Sequence, residues 1–289
     1  MLQPILVPLD GSPEGEQALP YAEALAEPGC QLILLEVGED PDSEFSLQNR
    51  HAGSCARLET ASGDPAEQIL RTARDFGVGM IVMTTHGRGA LGRWAFGGVA
   101  DAVTRHAPVP VMVVRPGEGR LEPAIRRLVV PLDGSSLAET ALPVAQSLAQ
   151  RHGLPVRLVT AVDPVSLVPS AVAPALAFDA EVYSETLAAL RGEAEGWLAR
   201  ASHALREAGV DTSWGILSGS PYVAIADALQ PGDVVVMTSH GRSGVPRLLL
   251  GSVAERLVRE GPAPVILVPA AAAEEARAAE FAAGMSVWV

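Results

Sequence analysis

Cysteine is nearly absent: Cys30 and Cys55 are the only two in 289 residues, with no CxxC pair and no clustered histidine. No disulfide framework or zinc site is implied, and both read as reduced, small apolar side chains. Basic charge is also short, with 21 Lys+Arg against 34 Asp+Glu and a net charge of −13. Such a surface repels polyanions, which argues against non-specific nucleic-acid binding and adhesion to acidic membranes. A small anionic ligand is not excluded, because it meets only the local field of its pocket. No apolar run reaches the roughly 20 residues needed to span a bilayer. The opening MLQPILVPLDG has no basic segment and reaches an acidic residue at Asp10, so it does not read as a signal peptide. The expectation is a soluble, cytoplasmic protein. Missing too are a phosphate loop ending in Lys-Ser/Thr and a GxGxxG turn after the first strand.

Against these absences stands a composition of 48% hydrophobic and 19% charged residues, ample for a packed core. The length favours two domains of roughly 100–150 residues each. Self-similarity divides the chain accordingly. ILVPLDGSPEGEQALPYAEALA (5–26) matches LVVPLDGSSLAETALPVAQSLA (128–149), and MIVMTTHGRGALGRWAFGGVADAVTRHAPVPVMVV (80–114) matches VVVMTSHGRSGVPRLLLGSVAERLVREGPAPVILV (234–268). Two long blocks in the same order mean a duplicated domain. The first copy is placed at 1–116 and the second at 127–270. A polar, Pro/Gly-rich linker at 117–126 joins them, and a tail follows at 271–289.

The copies are unequal. Asp10 and His86 lie 76 positions apart, whereas Asp133 and His240 lie 107 apart, so the second copy holds 31 more residues there. They fall in a Pro/Ala-rich stretch (163–180) and a helical stretch near 183–207. In the latter, Leu187, Leu190, Ala194, Trp197, Leu198, Ala201 and Leu205 share one helix face. The first copy has only GEDPDSEFSLQNRHAGSC at that point, too short and polar for such a helix. It is expected to lack the helix and to cover the apolar sheet face left behind with 163–182, the tail or a partner subunit.

In the second copy, strands are predicted near 127–132, 156–162, 212–217, 233–238 and 264–268, and helices near 136–151, 183–208, 221–229 and 251–260. The strands are short, continuous Val/Leu/Ile runs, as expected when helices cover both faces. Alternation of this kind gives an α/β, doubly wound parallel sheet in each copy. Pro20 and Pro143 sit inside the first-helix pattern and must either occupy a first turn or kink the helix.

Ligands of open parallel sheets bind beyond the carboxyl ends of the strands. Two segments end there. VVPLDGS carries Asp133 and Gly134 into a helix-capping Ser, and VVVMTSHGRSGVPRLLLGSVAERLV runs through a glycine-punctuated loop to Gly251-Ser252 at a helix start. Free N–H groups there, with the Ser252 hydroxyl, suit an anion such as phosphate. Each glycine and Ser252 by itself also fits a plain turn or cap, and Asp133 fits an Asx turn or a helix-dipole partner.

Together, VPLDGS, TSHGRSGVPRLLLGSVAERLV and the closing PAPVILVP resemble the universal stress proteins, twice and over nearly the whole chain. The resemblance implies a Rossmann-like five-stranded parallel sheet in order 3-2-1-4-5 per copy and, in one subclass, ATP bound through a G-x2-G-x9-G-[S/T] loop. Carried onto this chain, that loop supplies Gly241, Gly251 and Ser252, with Arg242 beside it. Adenosine contacts map to Pro131, Asp133, Val162 and Met237, and the Val253 N–H faces a phosphate. Thr238 stands where the motif has its first glycine. If that position needs φ > 0, a β-branched residue costs roughly 1–2 kcal/mol; if the glycine allows close approach, Thr partly blocks the pocket.

A weaker second site would use Asp10, Val37, Met83, Gly87, Gly97 and Gly98, with Thr84 again replacing the glycine. Gly98 lacks the hydroxyl, and losing one hydrogen bond to a charged phosphate costs roughly 1.5–3 kcal/mol, about one to two decades of affinity. The implied ligand is ATP, ADP or AMP, with Mg as an optional companion, in a regulatory or protective stress role. No catalytic residue is assigned. His86 and His240 orient loops or, in a slow ATPase, His240 acts as base; Arg88 and Arg242 contact phosphate or face solvent. The remaining alternative is a scaffold that needs no nucleotide. The resemblance also places the dimer contact on the last strand, VMVV (111–114) and VILV (265–268), so a homodimer with pairing of copies inside one chain is expected.

Overall fold

Short Val/Ile/Leu runs too brief for helices become the strands of one sheet. The structure is a computed structural model and describes residues 4–27, 29, 31–38, 56–85, 97–117, 124–163, 180–239 and 250–269. In the first copy β1 (Ile5–Leu9) pairs with β2 (Leu32–Val37) and β4 (Met80–Thr84), β2 with β3 (Arg57–Ala61), and β4 with β5 (Val111–Val114), all in parallel. The second copy repeats this with β6 (Arg127–Pro131), β7 (Val156–Val162), β8 (Thr212–Ser218), β9 (Asp233–Thr238) and β10 (Val265–Val268).

The two halves form one ten-stranded sheet, ordered β3-β2-β1-β4-β5-β10-β9-β6-β7-β8. Among the described residues its one antiparallel step is β5 against β10, with Val113 opposite Val265 and Met112 opposite Ile266. All four residues of each of these strands are buried. The carboxyl ends of the two sets of strands therefore point to opposite edges of the sheet.

Helices cover both faces. One face packs under α1 (Leu19–Leu25), α5 (Leu142–His152) and the long α6 (Ala180–Glu207), around Leu34, Leu128, Leu158 and Leu198. The other packs under α2 (Pro65–Asp75), α3 (Gly98–His106), α7 (Pro221–Ala228) and α8 (Ser252–Glu260), around Leu35, Val129, Val235 and Leu267. Strand residues of alternate parity thus feed different clusters, as a pleated ribbon requires.

The helix expected over 136–151 is two helices. Ser135 caps a short α4 (Ser136–Glu139) by accepting the Ala138 N–H at 3.1 Å. The chain breaks at Thr140 and restarts at Leu142, which puts Pro143 in the first turn of α5, where its missing N–H has no partner to lose. The first copy does the same with a 3-10 turn (Gly15–Ala18) and Pro20 at the start of α1.

The proposed loss of a helix in the first copy falls on 39–55, outside the described residues. The apolar face in question is not bare: Leu34 is 1% exposed and Leu58 is half-buried. The suggested covering segments, 163–182 and 271–289, also lie almost wholly outside the described residues. Gln17 of the first copy and Gly117, where the linker begins, exchange hydrogen bonds at 3.1 and 2.9 Å, and between the copies Arg151 bridges to Glu27 at 2.6 Å. Among the described residues no helix is long and apolar enough to cross a membrane.

Candidate functional site

The site of the second copy is assembled from strand ends. β6 runs through Pro131 and buried Leu132 to Asp133, and Gly134 follows with φ 78°, a turn that side chains disfavour. The Asp133 Oδ1 accepts the Ser135 N–H at 3.0 Å and its hydroxyl at 2.6 Å. Ser135 in turn caps α4, so the carboxylate is oriented by an Asx turn locked to a helix cap.

Next along the sheet, β9 ends at Thr238, in register with Val268 of β10. No non-glycine residue described has positive φ, so the backbone strain considered for Thr238 is not present. An extended strand end has no need of glycine. What Thr238 does is line the cavity, 5% exposed, which leaves its bulk as the consequence.

The chain returns at Leu250. Gly251 donates its N–H to the Ser239 carbonyl at 2.7 Å and caps α8 in an extended conformation, with its own carbonyl accepting the Glu255 N–H at 2.8 Å. That N–H is thus committed to closing the loop rather than to a ligand. The next N–H groups, of Ser252, Val253 and Ala254, find no acceptor among the described residues, as expected for a first helical turn. The Ser252 side chain is exposed.

These ends surround one cavity of about 410 Å³. Pro131, Asp133, Val162, Met237 and Thr238 line it, as do Gly251, Ser252 and Val253. Gly241, Arg242 and His240 lie outside the described residues. Its outer wall is built by α6, from Leu190, Ala194 and Trp197 of the stripe read in the sequence and from Glu193, which that stripe does not include. Their helical spacing was visible; that the upper half of the stripe overhangs a cavity while Leu198 and Leu205 fill the core was not. Thr160, on β7, and Pro221 and Ile225, on α7, complete the lining.

A brace joins the two helices that start at the cavity. The Arg256 guanidinium of α8 lies 3.9 Å from the ring centroid of Tyr222 on α7. Burial pushes the Tyr222 phenol upward, and nearby Glu260 adds to it. The Glu260 carbonyl also accepts from Arg115, at the end of the first copy, at 3.1 Å.

The first copy keeps the scaffold. Asp10 holds Ser12 as Asp133 holds Ser135, at 3.0 and 2.5 Å. Met83 ends β4, Gly97 caps α3, and the Gly97 N–H donates to the Thr85 carbonyl at 3.0 Å. A Cβ at Gly97 would come within 2.8 Å of that carbonyl, whereas one at Gly98 would meet nothing within 4 Å. Gly87, His86 and Arg88 lie outside the described residues. Val37 needs correction: Ile5 pairs with Leu32 and its counterpart Leu128 with Val156, which makes Val37 the counterpart of Ala161 and Gly38 that of Val162. The offset between copies is 123 at Ile5 and Leu128 but 124 at Leu32 and Val156, a slip of one residue that precedes β2, and one residue reverses the face.

Comparison with known proteins places these features. The sequence profile described as the universal stress protein family matches residues 1–51, 44–115 and 124–269. A universal stress protein of Mycobacterium tuberculosis is 31% identical over 189 residues, 65% of this chain; the match spans 61% of the relative's length. Another from the same species is 29% identical over 229 residues, covering 78% of this chain and 69% of the relative. Among solved structures, a universal stress protein from Archaeoglobus fulgidus superposes with a TM-score of 0.64 at 19% identity, covering 92% of this chain and 98% of that one. The cytoplasmic domain of a prokaryotic cation chloride cotransporter reaches 0.52 at 12% identity, over 95% of this chain and all of that one. These last two likenesses concern the fold alone.

Proposed function

The chain belongs to the universal stress protein family, and we propose that its second copy binds an adenine nucleotide, ATP by preference, as a regulatory or protective module of the stress response. The observation that carries this is the convergence on one cavity of Asp133, Met237 and Ser252 with the unclaimed N–H groups of Ser252, Val253 and Ala254. The cavity volume lies within the range of small-ligand sites, and apolar walls with few convergent polar groups are their usual lining. Three N–H groups and a hydroxyl at a helix start attract an anion. The chain contains no lysine, so a phosphate must be met by these groups and by arginine. When bound, ATP would bring its own Mg to the phosphates; no residue is assigned to the metal. No catalytic role is assigned either.

The test is calorimetry of the full chain with ATP. Binding is expected, weakened roughly ten- to a hundredfold by Ser252→Ala through one lost bond to a charged group, and more by Gly251→Val. No heat of binding at millimolar ATP would overturn the reading. A second reading, a scaffold that works without nucleotide, is favoured by one observation: Thr238 occupies the cavity where the family motif has glycine. Protein purified without nucleotide, dimeric and unresponsive to ATP, would support it.

A further inference from the structure

We propose that Glu36 shuts nucleotide out of the first copy, so that the chain takes up one nucleotide and not two; the inference rests on the reading of the second copy just given. The strand-end part of the first copy matches that of the second. Pro8, Asp10, Met83 and Gly97 reproduce Pro131, Asp133, Met237 and Gly251, the Asx turn is intact, and the loop is clasped by the same Gly97-to-Thr85 bond. α3 starts from a residue with φ −63° and ψ 143°, nearly those of Gly251 before α8. Absence of a hydroxyl at Gly98 weakens such a site by roughly one to two decades but does not close it.

Glu36 differs in kind. Leu9 pairs with Glu36, and Leu132, its counterpart, bonds to the Val159 carbonyl beside Thr160. Glu36 thus holds the place of Thr160, which lines the cavity of the second copy. It lies on the same side of β2 as Leu34 and is 6% exposed, so its carboxyl group is inside the first copy and not in solvent. Its side chain is longer than that of threonine and takes up room that Thr160 leaves open, and its carboxyl oxygens present acceptors where a phosphate needs donors.

Calorimetric titration of the full chain with Mg-ATP decides the matter through stoichiometry. The unaltered chain is expected to take up one equivalent, Gly98→Ser alone one, and Glu36→Thr with Gly98→Ser two. Glu36→Gln with Gly98→Ser keeps the shape and removes the charge; a second equivalent there assigns the exclusion to charge, and its absence with Thr effective assigns it to bulk. Adding Ser252→Ala to the two-site variant should weaken one site and spare the other. Two equivalents in the unaltered chain would overturn the inference, and so would one equivalent in both double variants while the second copy still binds. No binding in any of these proteins would instead overturn the nucleotide reading itself.

Discussion

At the scale of single residues, the site depends on atoms whose partners are already assigned. The Gly251 and Gly97 N–H groups close their loops, so the first N–H groups without a backbone acceptor among the described residues come one residue later, at Ser252 in the second copy and Gly98 in the first. Gly97 is required for space: alanine there would press on the Thr85 carbonyl at 2.8 Å. Gly97→Ala is expected to destabilise the protein by about 1–3 kcal/mol, read from denaturant unfolding, whereas Gly98→Ala should be nearly neutral. His152, in the last turn of α5, has its Nε2 buried without a hydrogen-bond partner, and burial holds its pKa below the usual 6.5 despite Glu27 nearby. The unfolded chain then binds the proton more readily than the folded one, so stability is complete above the unfolded pKa and declines as pH falls through it. His152→Gln should flatten the fall in unfolding midpoint between about pH 6.5 and 5.

At the scale of elements, the cavity is only as well defined as the helices that start at it. Tyr222 and Arg256 tie α7 to α8, and a cation–π contact of this kind is worth roughly 0.5–2 kcal/mol. Arg256→Ala is expected to lower stability by that amount and to weaken nucleotide binding while leaving the fold intact; circular dichroism and calorimetry on the same sample check both. On the opposite edge of the sheet, Arg127 of β6 forks onto Asp233 of β9 at 2.9 and 2.7 Å, and Asp233 is 3% exposed. Removing the arginine strands a buried carboxylate, so Arg127→Ala should cost about 3 kcal/mol, far more than loss of the exposed Arg71–Asp75 pair. The broken first helices were partly legible. Pro20 and Pro143 announced a first turn or a kink, but which of the two depended on where Ser12 and Ser135 capped the preceding turn.

At the scale of the whole molecule, β5 and β10 join two domains into one sheet through residues buried on both faces. Met112→Lys would bury an unpaired charge opposite Ile266, and its expected cost of about 3 kcal/mol or more should appear as a lowered unfolding midpoint. The antiparallel step also sends the two strand-end sites to opposite edges, too separated for one ligand to touch both.

The sequence by itself determined the duplication, the α/β class and the strands, and it named many of the residues that line the cavity of the second copy. Those features are local or periodic: an apolar run, a helix stripe, an Asp-Gly turn and a Gly-Ser helix start keep their meaning wherever they are placed. Tertiary structure alone decided that Leu190 and Trp197 wall a cavity, that Thr238 is unstrained, and that Glu36 holds the place of Thr160. Each of these depends on register between strands distant in sequence, and a shift of one residue exchanges the buried side of a strand for the other.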